Sequence, residues 1–363
     1  MNLTTRATKR LGIRFPIVQG PFGGGYSTVA LASAVAEAGG LGSFGAHALE
    51  PDAITRVVVD LRASTRCPFA VNLWVPLAGE SERPSEDSFR RAAGRLSAVR
   101  AKFGLPEPTL PERFSPAFDA QIEALLDARP PVASFVFGAP PPKVMEAARA
   151  RGIVTIGAAT TVDEARFLES RGFDLVVASG SDAGGHRPSF LRPTEESLVG
   201  TFSLVPQIAS AVGIPVVAAG GIADGRGIAA ALVLGASAAQ LGTRFLACDE
   251  SAAPEVHKQA LVSEAGRVTE LTRAFSGRHA RGIVNAFLRE GRDASDIPNY
   301  PIQNWLTQPI RRAAAAAGDA ESLALWAGQA AAMSIREPAS VAFARLLEEL
   351  RPYESLFDDA RNS

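Results

Sequence analysis

Cysteine is scarce in this chain of 363 residues, and its two cysteines, Cys67 and Cys248, lie far apart with no CxxC spacing. Two cysteines in this arrangement argue against a disulfide framework, and also against a zinc site, which needs several ligands at close spacing. We expect reduced thiols and a cytoplasmic location. Histidine is also rare, and no pair of histidines or carboxylates stands at ligand spacing near the glycine-rich loops, so no metal site is predicted.

Long apolar runs and an excess of charge are missing as well. No segment approaches the ~18 consecutive apolar residues of a membrane-spanning helix. The early apolar run from Leu11 to Val18 is interrupted by Gly12, Arg14 and Pro16, which is unlike a signal peptide. A net charge of −1 gives no bulk attraction to nucleic acid or to an anionic membrane. We therefore expect neither nucleic acid nor a membrane as a partner.

The first 246 residues show the rhythm of repeated βα units, because short runs rich in Val, Ile and Phe alternate with longer segments rich in Ala, Glu and Arg. Eight strands are predicted, at 16–20, 40–45, 68–74, 132–137, 153–157, 174–179, 214–219 and 238–242. The predicted helices include 28–38, 140–150, 162–171, 198–212 and 225–234. Eight units predict an α/β fold of the closed (β/α)8 TIM barrel type.

Two segments exceed this pattern. Residues 77–131 are too long for one βα connection, so we predict an elaborated third connection that forms a rim or lid. Its helices are predicted at 87–102 and 118–128, and those of the tail at 253–265, 311–317 and 340–350, with a turn-rich piece at 296–304. We predict a barrel over 1–246 and a mostly helical cap over 247–363, although a separate small domain fits the tail equally well.

The sixth predicted strand runs directly into a glycine-rich loop that carries His186. Gly180, Gly184 and Gly185 let the backbone turn sharply and approach a ligand closely. The carboxyl ends of barrel strands are where catalytic residues gather, and a neutral imidazole suits acid–base work near neutral pH. We take this loop as the candidate active site; the alternative is an ordinary structural histidine beside a turn.

Two further glycine loops follow the seventh and eighth predicted strands. They contain Gly220 with Gly221 and Gly242 with Thr243. In many barrels these loops bind a phosphate, because free backbone N–H groups converge there on the anion. The alternative is tight helix-to-sheet packing, which also favours glycine. The chain lacks the GxGxxG and GxxxxGK[ST] spacings of nucleotide-binding loops.

Other polar side chains also follow strands. Gln19 and Gly20 end the first strand and Asn72 lies near the end of the third, so these residues can face a planar ligand across the barrel mouth. Among the remaining histidines, His47 is expected to line the site or to be structural, His257 to be solvated in a polar helix, and His279 to approach from the cap. Arg226 and Arg244 are expected at helix starts and in packing, with a phosphate contact as the alternative.

Several motifs together resemble the nitronate monooxygenases, formerly called 2-nitropropane dioxygenases. The resemblance is carried by 16–21, 184–187, 218–226, 240–246, 275–282 and 325–329, and so spans most of the chain. It implies an FMN-containing barrel that oxidises alkyl nitronates with O2 to a carbonyl compound and nitrite. It further implies His186 as the catalytic base and a cofactor-binding set of Gln19, Gly20, Asn72, Ser179, Gly184, Gly185, Gly220, Gly221, Gln240, Gly242 and Thr243.

The chain departs from this family in the histidine loop. Ser179 and Asp182 stand where many relatives carry Gln and Glu, and Pro188 stands where a glycine is common, so the loop is expected to suit a differently shaped substrate. The resemblance also covers a flavin-dependent enoyl-acyl-carrier-protein reductase that uses NAD(P)H. A barrel that binds a phosphorylated metabolite without redox chemistry is the third reading. The oligomeric state stays open, a homo-oligomer included.

The strand ends also carry large aromatic residues. Phe22, Phe44, Trp74 and Phe137 all fall near carboxyl ends of predicted strands. We expect a small apolar pocket there, with ordinary core packing as the alternative.

Overall fold

The barrel predicted from the sequence is confirmed. The structure is a computed structural model that describes residues 3–80, 82–292, 294 and 296–357. The described residues form an eight-stranded parallel sheet whose first and second strands lie at opposite ends of the strand order. A parallel bridge between Val18 and Leu41 joins these two ends, with the Gln19 amide 2.9 Å from the Leu41 oxygen. The sheet therefore closes into a (β/α)8 barrel.

The strands are short, buried runs within one or two residues of their predicted bounds. They are Ile17–Gln19, Gly42–Gly45, Phe69–Trp74, Val132–Val136, Val154–Ala159, Leu175–Ser179, Val216–Ala219 and Ala238–Leu241. One apolar cluster lies between strands and outer helices, and a second fills the barrel interior. Ala7 and Leu11, from a helix at Arg6–Leu11 that was not predicted, belong to the interior cluster and pack beneath it. The carboxyl end of the barrel is left for the site.

The outer helices also follow the prediction. They are Val29–Glu37, Pro51–Ser64, Pro142–Ala150, Val162–Ser170, Thr201–Ala209 and Gly225–Val233, of which Pro51–Ser64 was not predicted. The side chains of Thr28, Thr161 and Asp224 accept a hydrogen bond from the first turn of the helix that each precedes. Such N-caps fix where a helix begins, and here they set where each loop at the barrel mouth ends.

The third connection is elaborated, as predicted, but its first helix is divided. Glu86–Gly94 and Ser97–Lys102 replace the single helix expected over 87–102, because the backbone leaves the helical region at Leu96 (φ −96°, ψ 2°). Phe118–Ala128 forms as predicted. Phe89 and Leu96 share an apolar cluster with Phe275 and Leu306 of the C-terminal segment. The rim and the C-terminal segment therefore pack together over the barrel.

The C-terminal segment is helical with one exception. Its helices are Glu255–Leu261, Ala286–Glu290, Ile302–Ala317 and Ala339–Leu350. Ile302–Ala317 begins inside the piece predicted as turn-rich and runs much further than the helix expected at 311–317, because Ile302, Leu306 and Ile310 repeat at helical spacing. The turn residues around Pro301 concealed that spacing.

The exception is a hairpin of Thr269–Thr272 and Ala280–Ile283, which the sequence did not predict. A short strand, Gly185–His186, pairs with it, His186 opposite Ala280. The C-terminal segment thus adds strands directly to the loop that carries His186.

The last helix lies apart from the rest of this segment. Ala339–Leu350 packs against the outer helices Val29–Glu37 and Gly225–Val233, and so takes a place in the ring around the barrel. A domain boundary after residue 246 stays a prediction. In the described part of the chain no helix is long and apolar enough to cross a membrane.

Candidate active site

A cavity of about 510 Å³ opens at the carboxyl ends of the barrel strands. This volume falls within the roughly 300–1,000 Å³ of small-molecule sites. Eleven of the twelve predicted site residues line it: Gly20, Asn72, Ser179, Gly184, Gly185, His186, Gly220, Gly221, Gln240, Gly242 and Thr243. The histidine loop and both glycine loops therefore meet at one cavity although they lie up to about sixty residues apart in the chain.

Gln19 is the predicted site residue that the structure places elsewhere. Its side chain is fully buried, accepts a hydrogen bond from the Ser43 amide at 2.8 Å and donates one to the Gly20 oxygen. The bond with Ser43 ties the first strand to the second. The Gln19 side chain is therefore occupied by the barrel wall and does not line the cavity.

Backbone pairing and a buried arginine hold the histidine loop in place. Gly185 has a φ of 72°, which favours glycine, and turns the chain into the short strand that ends at His186. The Arg187 side chain is buried beneath the loop and donates to the backbone oxygens of Ser179, at 2.9 Å, and Gly180. Because both the strand pairing and the guanidinium fix the loop, His186 is presented to the cavity from a rigid support.

The imidazole of His186 has a defined hydrogen-bond partner. Its Nε2 lies 2.8 Å from the Ser276 hydroxyl, and that hydroxyl lies 3.1 Å from the Arg278 backbone oxygen. We assign the single hydroxyl proton to the Arg278 oxygen, which can only accept, so that His186 Nε2 donates to Ser276. This assignment follows from the network and leaves Nδ1 with the lone pair. Among the described residues, Nδ1 of His186 has no hydrogen-bond partner.

Burial keeps the histidines of the cavity neutral. Burial lowers the pKa of His186 well below its usual range, and the nearby charge of Arg278 and then His47 and Arg311 lower it further. Burial, followed by the charge of Arg278, lowers the pKa of His47 to about 3. A neutral imidazole near pH 7 can accept a proton, whereas an imidazolium cannot.

Aromatic rings form the wall of the cavity beside His186. The Trp74 ring lies 4.8 Å from the His186 ring and stacks on His47 at 3.7 Å with an interplanar angle of 3°. Trp74, Phe137 and Phe22 line the cavity as predicted, whereas Phe44 does not. The site thus has an apolar side next to the imidazole.

The glycine loops form the opposite side of the cavity. Gly220 and Gly221 have φ values of 113° and 68°, so their turn needs residues without a Cβ. Among the described residues, the amides of Gly220, Gly221 and Gly242 donate no hydrogen bond to another backbone group. A Cβ at Gly242 would meet nothing within 4 Å and would project into open space. Unpaired amides around open space suit an anion such as a phosphate.

The two arginines considered for a phosphate contact are engaged elsewhere. Arg226 is exposed and pairs with Asp224 at 2.6 Å. The Arg244 side chain is buried against Glu337 and the Ile335 oxygen. Arg244 borders the cavity, but its guanidinium is already bound by these partners. Arg226 therefore stands at a helix start and Arg244 in packing, as predicted, and neither guanidinium is free for a phosphate contact.

Two histidines differ from expectation. The prediction that His257 is solvated is wrong. Its ring is fully buried, with Nε2 3.0 Å from the Trp326 oxygen and Tyr26 packed against it. Glu255 and Gln259 of the same helix are exposed, whereas Lys258 is buried beside His257. His279 does not line the cavity and lies 3.4 Å from Glu195. Its backbone oxygen accepts from Arg187, so it supports the histidine loop from behind.

Two departures from the family pattern have local structural roles. Asp182 accepts a hydrogen bond from the Thr201 amide at 2.7 Å, at the start of the helix Thr201–Ala209. Pro188 lines the cavity. The first residue therefore stabilises the loop, whereas the second changes the surface that a ligand meets.

The sequence assigned no role to several residues that the fold brings to the site. Ser276 and Arg278 belong to a motif that was noted only for its resemblance, and their contacts with His186 and its surroundings depend on the hairpin. Arg311 lines the cavity, donates to the Asn304 side chain at 2.7 Å and has a buried Nε without a partner in the described structure. Burial lowers its pKa to about 10, so it remains a cation near pH 7.

Metal ligands do not gather at the site within the described ranges. No group of three or more His, Cys, Asp or Glu side chains there could hold a metal ion.

Comparisons with known proteins identify a family and two similar solved structures. A family model described as nitronate monooxygenase matches residues 4–351. A Staphylococcus aureus (strain Newman) protein named "Probable nitronate monooxygenase" is 39% identical over 347 residues, which cover 95% of this chain and 97% of that protein. Nitroalkane oxidase from Streptomyces ansochromogenes is similar in structure, with a TM-score of 0.87, 42% identity and coverage of 97% and 100%. FabK from Thermotoga maritima is also similar in structure, with a TM-score of 0.75, 31% identity and coverage of 98% of this chain and 99% of that chain.

Proposed function

Because the chain belongs to the nitronate monooxygenase family, we propose that it is an FMN-dependent enzyme that oxidises alkyl nitronates with O2 to a carbonyl compound and nitrite. Neutral nitroalkanes are substrates when the protein first removes a proton from the carbon next to the nitro group. The small-molecule substrate and O2 are its reaction partners. The observation that carries the proposal is the single cavity that joins His186 to both glycine loops.

The residues of the cavity fit FMN. The unpaired amides of Gly220, Gly221 and Gly242 would hold the phosphate, together with the Thr243 hydroxyl, which accepts from the Gly328 amide at 2.9 Å and keeps its own proton to donate. Ser179, Gly184, Gly185 and Gln240 complete this part of the site, and Gly20 and Asn72 would lie beside the ring. Bound FMN supplies the electron transfer from substrate to O2.

His186 is the base in this proposal. Its free Nδ1 takes the proton from the substrate carbon, while the Nε2 contact with Ser276 keeps the ring in one orientation and one tautomer. The depressed pKa keeps the imidazole unprotonated and available near neutral pH. With a preformed nitronate no proton has to be removed, so His186 is not needed as the base.

Positive charge in the cavity suits an anionic substrate. Arg311 lines the cavity and forms no ion pair with a described carboxylate, so its charge attracts a nitronate anion. The aromatic wall next to His186 receives the apolar chain of the same molecule. The two features together favour a small molecule with a charged head and a hydrocarbon tail.

A flavin-dependent reductase that uses NAD(P)H, such as an enoyl-acyl-carrier-protein reductase, is the second candidate. The similarity to FabK from Thermotoga maritima over nearly the whole chain favours it. Both candidates use the same cavity and differ in what reduces the flavin.

An anaerobic reduction experiment separates the candidates. We expect the purified protein to be yellow, to lose its flavin absorbance when a nitronate is added without O2, and to release nitrite in air without NAD(P)H. Rapid bleaching by NADPH and none by nitronates would favour the reductase. A colourless protein that takes up no FMN would contradict both and favour a barrel that binds a phosphorylated ligand.

A further inference from the structure

One side chain, Trp74, connects the aromatic residues of the cavity wall. It stands at the carboxyl end of the third barrel strand, two residues after Asn72 and on the same face of the strand. Its ring lies 5.1 Å from the Phe137 ring and 5.5 Å from the Tyr300 ring, besides its contacts with His47 and His186. The Trp74 indole is therefore the part of the cavity wall that lies next to the His186 imidazole.

The wall is fixed from behind by a buried cation. The guanidinium carbon of Arg278 lies 3.7 Å from the centre of the Phe137 ring, 4.4 Å from that of Tyr300 and 5.5 Å from that of Trp74. Such cation–π contacts are strongest where water is excluded, and the Arg278 side chain is only 8% exposed. The cation therefore holds three rings in one arrangement.

The third connection closes the same cluster. Glu80, whose side chain is 10% exposed, forms a two-pronged ion pair with Arg278, and the Leu77 amide donates to the Glu80 carboxylate at 2.9 Å. A buried arginine that lost this partner would be left with an uncompensated charge. The rim segment predicted as a lid is thus tied to the wall through Arg278.

Backbone strain marks the same place. Phe137 has a φ of 69°, a conformation that bulky residues rarely adopt and that costs on the order of 1–3 kcal/mol. Such strain persists only where the surroundings enforce it, and here the Phe137 ring contacts both Arg278 and Trp74. The position of the wall is therefore maintained at a cost in stability, as at other ligand-binding positions.

We propose that Trp74 is the specificity-determining residue of the cavity: its indole sets the longest carbon chain that the substrate can carry beside His186. This inference rests on the proposed oxidation of nitronates and names its substrate class as short-chain alkyl nitro compounds. His47, Phe137 and Arg278 are positioning residues that keep the indole in place. Each methylene group that meets a fixed apolar wall changes discrimination by roughly 10-fold to 200-fold.

The test compares chain lengths on the holoprotein. The linear series from nitroethane nitronate to nitrooctane nitronate is assayed for kcat/KM from nitrite release. Kd values are taken anaerobically from the dependence on nitronate concentration, using the rate of bleaching where the flavin is reduced and the size of the spectral shift where it is not. In the parent protein we expect kcat/KM to fall steeply beyond a short chain. In Trp74→Ala the ratio of the long-chain to the short-chain value should rise about tenfold or more, with the Kd values moving in the same direction.

Matched variants keep the test decisive. Trp305 packs between Phe89 and Phe114 outside the cavity, so Trp305→Phe is the control for Trp74→Phe and should leave the chain-length ratio unchanged. Trp74→Phe keeps a smaller aromatic ring at this position, and it replaces Trp74→Ala in the test if the alanine variant does not retain its flavin. Glu80→Gln should broaden the chain-length profile without altering any atom that lines the cavity.

The outcomes are distinguishable. An active Trp74→Ala or Trp74→Phe enzyme with the parent's chain-length ratio and Kd series would overturn the role of Trp74 and leave the proposed function standing. A parent holoprotein that releases no nitrite from any nitronate would refute the proposed function. In that case, Kd values that still vary with chain length and still change in Trp74→Phe would support the role of Trp74 in limiting chain length independently of the reaction.

Discussion

Replacing His186 by Asn separates proton removal from the rest of the reaction. The Asn side chain ends one bond short of the His186 Nε2 position, which lies 2.8 Å from the Ser276 hydroxyl, so the variant loses that hydrogen bond together with the base. A neutral nitroalkane needs that base and a preformed nitronate does not. The variant should therefore lose activity on the first substrate and keep most of it on the second.

The expected magnitude follows from the role. General-base catalysis contributes about 10²–10⁴-fold, or about 3–5 kcal/mol, and kcat/KM for nitroethane should fall by that factor in His186→Asn. With ethylnitronate the loss should stay within about tenfold. Ser276→Ala removes one hydrogen bond of about 1 kcal/mol, so it should lower kcat/KM for nitroethane by about fivefold while the base itself remains.

The assay is nitrite release with both substrates at several pH values. Because burial lowers the pKa of His186, the imidazole is already neutral, and able to accept a proton, at pH values below 6.5. The acid limb of kcat/KM for nitroethane should therefore lie below pH 6.5 in the parent protein. Nitroethane deuterated at the reacting carbon should show a kinetic isotope effect. Equal losses on nitroethane and ethylnitronate in His186→Asn would refute the role of His186 as the base.

Two further predictions concern stability. Burial lowers the pKa of His257 from 6.5 to about 4, so above pH 6.5 both states are neutral, and as the pH falls the unfolded chain takes up the proton first. This residue should therefore lower the free energy of unfolding by about 3 kcal/mol between pH 6.5 and 4, since the pKa is lowered by about 2.5 pH units at about 1.36 kcal/mol each. In His257→Gln, the free energy of unfolding measured with urea should change less steeply with pH. An unchanged dependence on pH would contradict the burial of this histidine. Glu337→Gln leaves the buried Arg244 without its carboxylate and should cost about 3–5 kcal/mol in the same assay, whereas Glu270→Gln, which removes the exposed partner of Arg292, should cost about 1 kcal/mol or less. Equal costs for the two variants would speak against the buried pair.

The barrel could be predicted because its signal is local. Strands such as Leu175–Ser179 are buried on both faces, so a continuous apolar run bounded by glycines identifies them without knowledge of the rest of the fold. The meeting of the glycine loops with the histidine loop follows from the barrel itself, since strand ends converge on one face.

The parts that could not be predicted depend on contacts between distant segments. The hairpin of Thr269–Thr272 and Ala280–Ile283 has no strong alternating pattern, and it forms against Gly185–His186 almost a hundred residues earlier. The environment of His257 is set by the cap, whereas its sequence neighbours Glu255 and Lys258 suggested a solvated helix. Pairings such as these determine which side chains reach the cavity.

The wall around His186 illustrates the same limit. Trp74 was expected near the cavity from its place at a strand end, but its partners come from the rim, at Glu80, and from the hairpin, at Arg278. No local pattern links those two residues. Gln19 was misplaced for the related reason that a strand-end side chain can bond its neighbouring strand as readily as face the cavity.

In the proposed enzyme the glycine loops hold the phosphate of FMN, and Gly242→Val is the variant that tests this placement. Gly242 has a φ of −96°, which any residue adopts, and its Cβ would meet nothing within 4 Å, so the variant should fold as the parent does. The added side chain would project into the space assigned to the phosphate. Gly94→Val, at an exposed helix position with equally free space, is the matched control.

The measurement is the amount and identity of the flavin released from each purified protein on heating. We predict one FMN per chain from the parent protein and from Gly94→Val, and little or none from a folded Gly242→Val. A Gly242→Val protein that retains stoichiometric FMN, or a parent protein that releases no FMN, would contradict the account.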